Sequence, residues 1–140
     1  SLISYYLPRI PKHWNFELLE IPDVKNARNL NPDQLKKEEA KLFQNQIDSS
    51  DLVILLDEKG KQFTSREFAG KIDFWLGNSV KKVNILIGGA YGFSEEIYQR
   101  ANEKVSLSKM TFTHQMIRLF FVEQIYRAAT ILQGKPYHND

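Results

Sequence analysis

Apolar residues in this chain fall into short blocks with two different periods. Leu52-Val53-Ile54-Leu55-Leu56 is apolar throughout, the pattern of a strand buried on both faces, as in parallel sheets. Val83-Asn84-Ile85-Leu86-Ile87 is a second short run rich in β-branched residues, and it ends at Gly88-Gly89-Ala90-Tyr91-Gly92. Residues 14–21 alternate apolar with polar and read as a strand stopped by Pro22. Residues 105–112 read as a short extended segment. Helical spacing takes most of the remainder. The apolar-aromatic start, Leu2 to Leu7, reads as the end of a helix closed near Pro8 and Pro11, and residues 24–31 as a loop. Residues 32–47 read as a helix with Asn31 as N-cap, Pro32 at its first position and Asp33 in its first turn. Asp57-Glu58-Lys59-Gly60-Lys61 reads as a turn, after which Ser65 caps a helix to about Leu76 that Gly77-Asn78 closes. Ser94-Glu95-Glu96 opens another helix with acids at its positive end. A long helix runs from about Thr113 to Gln133 and stops at Gly134.

Strands that alternate with helices imply an α/β fold with a mostly parallel sheet flanked by helices. The length, 140 residues, implies one domain over 1–140. Parallel strands put the loops after Leu56 and at Gly88 on one edge of the sheet, where open α/β sheets bind ligands. The glycine turn lacks the G-x-G-x-x-G spacing of a dinucleotide site and the Gly-Lys-Ser/Thr ending of a P-loop. A ligand there is therefore neither a dinucleotide nor a triphosphate.

Composition narrows the class further. A hydrophobic fraction of 42% supplies a core. No apolar run approaches the roughly 20 residues of a membrane span, and no signal peptide is visible. The absence of cysteine excludes disulfides and Cys-ligated metal and fits a cytoplasmic protein. His13, His114 and His138 are too far apart in sequence to suggest a metal site. Residues 1–80 hold 11 Lys/Arg against 12 Asp/Glu, and residues 81–140 hold 8 against 5. That mildly basic second part is compatible with an RNA partner, though charge alone favours a solvated surface of mixed charge.

The long last helix carries an anomaly. Ile117, Phe121, Val122, Ile125, Ala128, Ala129 and Leu132 share one arc, and Arg118 falls inside it. An arginine there needs a carboxylate, a phosphate or carbonyls. It is either paired with a glutamate of this chain or placed for an anion or a subunit interface. So broad an apolar surface on a small domain also points to a partner subunit.

Five segments occur here in one order: Leu55-Leu56-Asp57-Glu58-Lys59-Gly60-Lys61; Ile87-Gly88-Gly89-Ala90-Tyr91-Gly92; Leu107 to Arg118; Glu123-Gln124-Ile125-Tyr126-Arg127-Ala128; and Pro136-Tyr137-His138. The series resembles the bacterial ribosomal RNA large subunit methyltransferase H family, SPOUT-class pseudouridine N3-methyltransferases, over nearly the whole chain. The resemblance implies a C-terminal trefoil knot, which topology rules would not suggest. It implies a homodimer with S-adenosylmethionine in the knot, and no metal. By position, Leu56 would end the first cofactor loop and Gly88 open the second. Leu107, Ser108, Lys109, Met110, Thr111 and Phe112 would form the third, mixing apolar surface with polar groups.

The implied substrate is a pseudouridine of 23S ribosomal RNA in the assembled ribosome, with N3 displacing the sulfonium methyl in line. Catalysis can then rest mostly on positioning, with a base helping. His138 is the candidate base or base-orienting group, or else a tail residue that meets RNA phosphate. Tyr137 is placed to stack on a base. His114 would hold a loop, while Arg118, Arg127 and Lys109 would meet phosphate or the second subunit. Family members begin with a further strand and glycine turn that these residues do not include. Some also carry a basic residue after the tail histidine, where this chain has Asn139, which implies weaker RNA affinity for this tail. Two other functions fit the same residues: a non-catalytic ribosome-binding or assembly module, and a methyltransferase acting on another RNA.

Overall fold

A computed structural model of the chain describes residues 1–77 and 82–140. In chain order the main elements are α1 (Leu2–Tyr6), α2 (Pro32–Gln44), β1 (Leu52–Gln62), α3 (Ser65–Gly77), β2 (Val83–Ile87), α4 (Glu95–Arg100), β3 (Glu103–Ser106) and α5 (His114–Leu132). The strands form a parallel sheet in the order β2-β1-β3. The expected α/β architecture is therefore present.

Strand β1 is central because its side chains are apolar on both faces. Val53, Ile54 and Leu55 have no exposed surface. Ile54 and Leu56 pack with Val105 against Phe68, Ile72 and Trp75 of α3 and Phe121, Val122 and Ile125 of α5. Val53 and Leu55 pack on the other face with Leu86 against Ala40 and Phe43 of α2, Phe93, and Ile97 of α4. Each such side chain contributes about 1.5–3 kcal/mol through its removal from water. The result is two helical layers around one sheet.

Local chemistry sets the helix ends. Asn31 and Gln34 cap α2 reciprocally, with Pro32 in the first turn, as the sequence indicates. At α3 the cap is Thr64 rather than Ser65: Thr64 and Glu67 exchange backbone-to-side-chain bonds at 2.8 and 3.1 Å. Ser65 is then free to donate to Gln124 of α5. Asn78, expected to close α3, and Lys81, one of the basic residues, lie outside the described residues. Gly134 takes φ 68° after α5, and Lys135 N–H donates back to Thr130. That left-handed turn folds the tail back over its own helix.

Three expectations need correction. No strand forms over residues 14–21: Lys12–Trp14 is a short 3-10 turn, Asn15 turns at φ 52°, and residues 16–21 pair with no strand among the described residues. Their alternation is real, since Phe16 and Leu18 pack onto the core and Leu19 is exposed. Period two here reports alternate burial without a neighbouring edge to pair with. Residues 57–61 are an irregularity within β1 rather than a turn that ends it. Val105 pairs with Leu56 and again with Lys61, so the intervening residues bulge from the ladder. Gly60 permits this, because a Cβ there would stand 2.7–2.9 Å from the Lys104–Val105 backbone. Finally, β3 stops at Ser106, where serine side chains take over backbone partners: Ser106 Oγ donates to Ser108 O, and Ser108 Oγ accepts from Met110 N–H.

A buried carboxylate fixes the start of the sheet. Asp51 accepts from Asp48 N–H and Asn84 Nδ2 and lies 3.4 Å from Lys82. Burial alone would raise its pKa, but these donors and the lysine charge hold it below the usual carboxylate value.

Gly60→Ala should destabilise the protein by about 1–3 kcal/mol, because the added methyl must push β3 away. Gly70→Ala, on an open face of α3 with nothing within 4 Å of the added carbon, should be neutral or stabilising by up to about 1 kcal/mol. Urea unfolding of both variants checks this. Equal stability of Gly60→Ala and wild type would contradict the close backbone approach.

Candidate functional site

The parallel pairing Leu52↔Val83 through Leu56↔Ile87 delivers the ends of β1 and β2 to one edge. The loop after β3 leaves from the same edge, since Leu56 also pairs with Val105. Three loops thus meet there, and side chains link them. His114, the first residue of α5, meets the Gly88 carbonyl through Nδ1 at 3.0 Å. A carbonyl only accepts, so Nδ1 carries the proton. Thr111 Oγ1 donates to Glu58 Oε2 at 2.9 Å, joining the third loop to the first. Tyr98 of α4 donates a short hydrogen bond to Asp57, which directly follows Leu56. Its hydroxyl lies beneath Gly92, 3.5 Å from where a Cβ would be. Burial, and then the Asp57 bond, push the Tyr98 phenol up to about 12, so it stays a donor at neutral pH.

Beside these loops is a cavity of about 330 Å³. Leu107, Ser108 and Phe112 of the third loop form one wall, and Phe120, Glu123 and Gln124 of α5 another. Phe63 and Ser65 close a third side. Phe112 and Phe120 meet edge to face at 5.1 Å. Aromatic surface with a few convergent polar groups is the make-up of a small-molecule site. Lys109 and Met110 point outward, Met110 with 72% of its surface exposed. Leu56 and Gly88 do not line the cavity; they lie on the loop edge beside it.

The tail adds a polar cluster. Glu123 Oε1 accepts from Arg127 Nε and Nη2 at 3.1 and 2.6 Å and from the Tyr137 hydroxyl at 3.1 Å. Arg127 lies 4.8 Å over the Tyr137 ring and donates through Nη1 to His138 Nδ1 at 3.1 Å. Arginine cannot accept, so His138 carries its proton on Nε2, which points at Asp140. Arg66 of α3 holds Asp140 at 2.6 Å and keeps its carboxyl below the ordinary value. The Glu123 hydrogen bond raises the Arg127 pKa, and burial with the Tyr6 and Glu123 bonds raises that of Tyr137. Glu123 belongs to both the cavity wall and this cluster, and so ties Tyr137 to the cavity through its hydroxyl. Arg118 stands apart: it pairs with Glu20 at 2.5 Å, the intramolecular partner that its place on the apolar arc requires.

These loops, with their sequence, can be set against known proteins. A family model described as "Predicted SPOUT methyltransferase" matches residues 1–138. The ribosomal RNA large subunit methyltransferase H of Christiangramia forsetii is 50% identical over 99% of this chain and 88% of its own length. That of Cytophaga hutchinsonii is 52% identical over 97% and 87%. That of Bacteroides thetaiotaomicron is 49% identical over 100% and 89%. The chain belongs to the ribosomal RNA large subunit methyltransferase H family of SPOUT methyltransferases. Among the described residues, no helix is long and apolar enough to cross a membrane, and no three His, Cys, Asp or Glu side chains converge as a metal site.

Within this methyltransferase, the sequence located the three loops and the tail but not their cross-links. Tyr98, Glu58 and Glu123 were given no role, although Glu58 and Glu123 lie inside the recognised segments. A tyrosine one helix away from an aspartate offers no local signal of their bond, since 41 residues separate them.

Arg127→Met should cost about 2 kcal/mol, because it leaves the mostly buried Glu123 carboxylate without its cation. Arg66→Met, at the exposed end of the cluster, should leave stability near wild type. Denaturant midpoints of the two variants measure this. Equal losses would contradict an anchor at Glu123.

Proposed function

We propose that the protein transfers a methyl group from S-adenosylmethionine to N3 of a pseudouridine in 23S ribosomal RNA. It acts on the assembled ribosome, as a homodimer, in the bacterial cytoplasm. The chain is a single domain whose C-terminal part forms a trefoil knot. The observation that carries this reading is the convergence of three cross-linked loops at one sheet edge, in a chain half identical to ribosomal RNA methyltransferases over nearly all its length.

The residues suit the cofactor. At Gly88 a Cβ would come within 3.1 Å of the Phe93 ring and 3.2 Å of the Gly92 carbonyl, so the turn offers backbone alone. Leu56 ends the first loop, and Leu107 and Phe112 offer apolar surface to a heterocycle, which the exposed Met110 would join by turning inward. Ser108, Lys109 and Thr111 offer polar groups. When bound, S-adenosylmethionine supplies an already activated methyl group, so the protein contributes mainly position. Tyr137 and His138 are the catalytic candidates. With Nδ1 held by Arg127, His138 orients its neighbours; acting as base requires that nitrogen to leave the arginine.

The apolar Leu2 and Tyr5 of α1, 60% and 50% exposed, and Leu132 of α5, 40% exposed, support a second subunit against these helices. Arg118, Arg127 and His114 already have partners within the chain, so their part in RNA binding or the interface is to shape the surface as much as to supply charge. Lys109 and Lys135 have no carboxylate partner among the described residues and are available to phosphate.

Calorimetric titration with S-adenosylmethionine should give saturable binding that Gly88→Val abolishes. Ribosomes from a strain lacking the native enzyme should accept methyl groups, and free nucleoside should not. Binding unchanged by Gly88→Val would move the cofactor elsewhere. Ribosome association without methyl transfer would instead support a non-catalytic assembly module, and transfer to another RNA a different substrate.

A further inference from the structure

The tail cluster has two halves that are held with different firmness. Arg127 and Glu123 form a mostly buried inner half. Arg66 and Asp140 form an outer half, with 56% and 67% of their side chains exposed. His138 connects the two. Its Nδ1 accepts from Arg127, so its Nε2 carries the proton and meets Asp140 Oδ1 at 3.1 Å. Arg66 Nε donates to that same oxygen at 2.6 Å and to Oδ2 at 2.9 Å. A donor from α3 and a donor from the tail thus converge on one carboxylate.

An ion pair this exposed adds little to stability, so its carboxylate can be exchanged for another anion. A guanidinium matches the paired oxygens of a carboxylate and those of a phosphate alike. The place is also suited to a substrate. Ser65, next to Arg66, lines the cavity, and so does Glu123, which holds Arg127. Asn139 and Asp140, the two residues that follow His138, bring no cation of their own. The positive charge at this spot comes from Arg66 on α3.

We propose that Arg66 and the Nε2–H of His138 form a subsite for a backbone phosphate of the RNA, which Asp140 fills while RNA is absent. The inference rests on the reading of this protein as an RNA methyltransferase. No covalent bond changes: the phosphate takes the two donors and the Asp140 carboxylate moves into water. A carboxylate tethered this closely acts at an effective concentration on the order of 1 mM. A lone phosphate ion competes poorly with that. An RNA already held through other phosphates presents its own at a similar local concentration. The subsite therefore answers to a docked polyanion rather than to free phosphate.

The test is steady-state ribosome methylation by wild type, Asp140→Asn, Arg66→Met and the double variant Arg66→Met/Asp140→Asn. Asn keeps an acceptor for both donors and removes the charge. Asp33→Asn is the control, since it makes the same change of charge on α2, across the sheet. Asp140→Asn should lower KM for ribosomes about threefold, and Asp33→Asn should leave it near wild type. Arg66→Met should raise KM roughly tenfold and reduce the slope of log KM against log salt by about one. The double variant should match Arg66→Met alone, because a competitor has no effect once its site is gone. A KM that rises or stays constant in Asp140→Asn would overturn the proposal and leave Asp140 a structural latch. An equal fall in Asp33→Asn would overturn it as well.

Wild type inert towards ribosomes would overturn the RNA reading, and titration with inorganic phosphate separates that case from a failed subsite. In Asp140→Asn the Arg66 Nε–H and His138 ring resonances should move together along one saturating curve. Wild type should need several-fold more phosphate for the same shift. Resonances indifferent to phosphate in Asp140→Asn would rule out the anion subsite itself.

Discussion

Strand β1 pairs in parallel with a neighbour on each side, and that pairing governs where every loop can go. Its apolar side chains are enclosed on both faces, so the strand cannot slip by one residue without inverting two cores. With Leu56 aligned to Ile87 and to Val105, the carboxyl ends of all three strands share one edge. The loops at that edge are irregular, one of them built of three glycines in five residues, and could not hold a shape alone. Their geometry comes from the sheet and from side chains that bridge them. Thr111 to Glu58, His114 to Gly88 and Tyr98 to Asp57 each join segments far apart in sequence.

The bulge in β1 shows how the sheet and the site depend on each other. At Gly60 the strand returns to pair again with Val105 after an excursion that carries Asp57 and Glu58. Those two residues are the ones that reach Tyr98 and Thr111. A regular strand would alternate them between the faces of the sheet. The tail depends on α5 in the same way. The turn at Gly134 sends the chain back so that Tyr137 and His138 meet Arg127 and Glu123 on the helix just traversed. In a methyltransferase whose cofactor brings its own activated group, such rigidity is the main thing a small protein can supply.

The elements that were legible in the sequence were those with a local cause. The run Leu52–Leu56 is apolar on both faces and became the central strand. The Asn31-Pro32 pair became a capped helix start. Arg118 was marked by its place on the apolar arc, but its partner, Glu20, lies 98 residues away and could not be named. Failures came where a pattern had two physical origins. Alternation in residues 14–21 reflects burial of Phe16 and Leu18 without strand pairing. The polar, glycine-containing stretch after Leu56 looks like a turn because a bulge and a turn use the same residues.

Amide chemical-shift mapping during titration with S-adenosylmethionine tests the central claim, that the cross-linked loop edge is one binding site. Perturbations are expected at Gly88 and Gly89 and through residues 107–112 together, saturating along one curve. Perturbations that spare the glycine turn, or that cluster around the N-terminal segment instead, would contradict it.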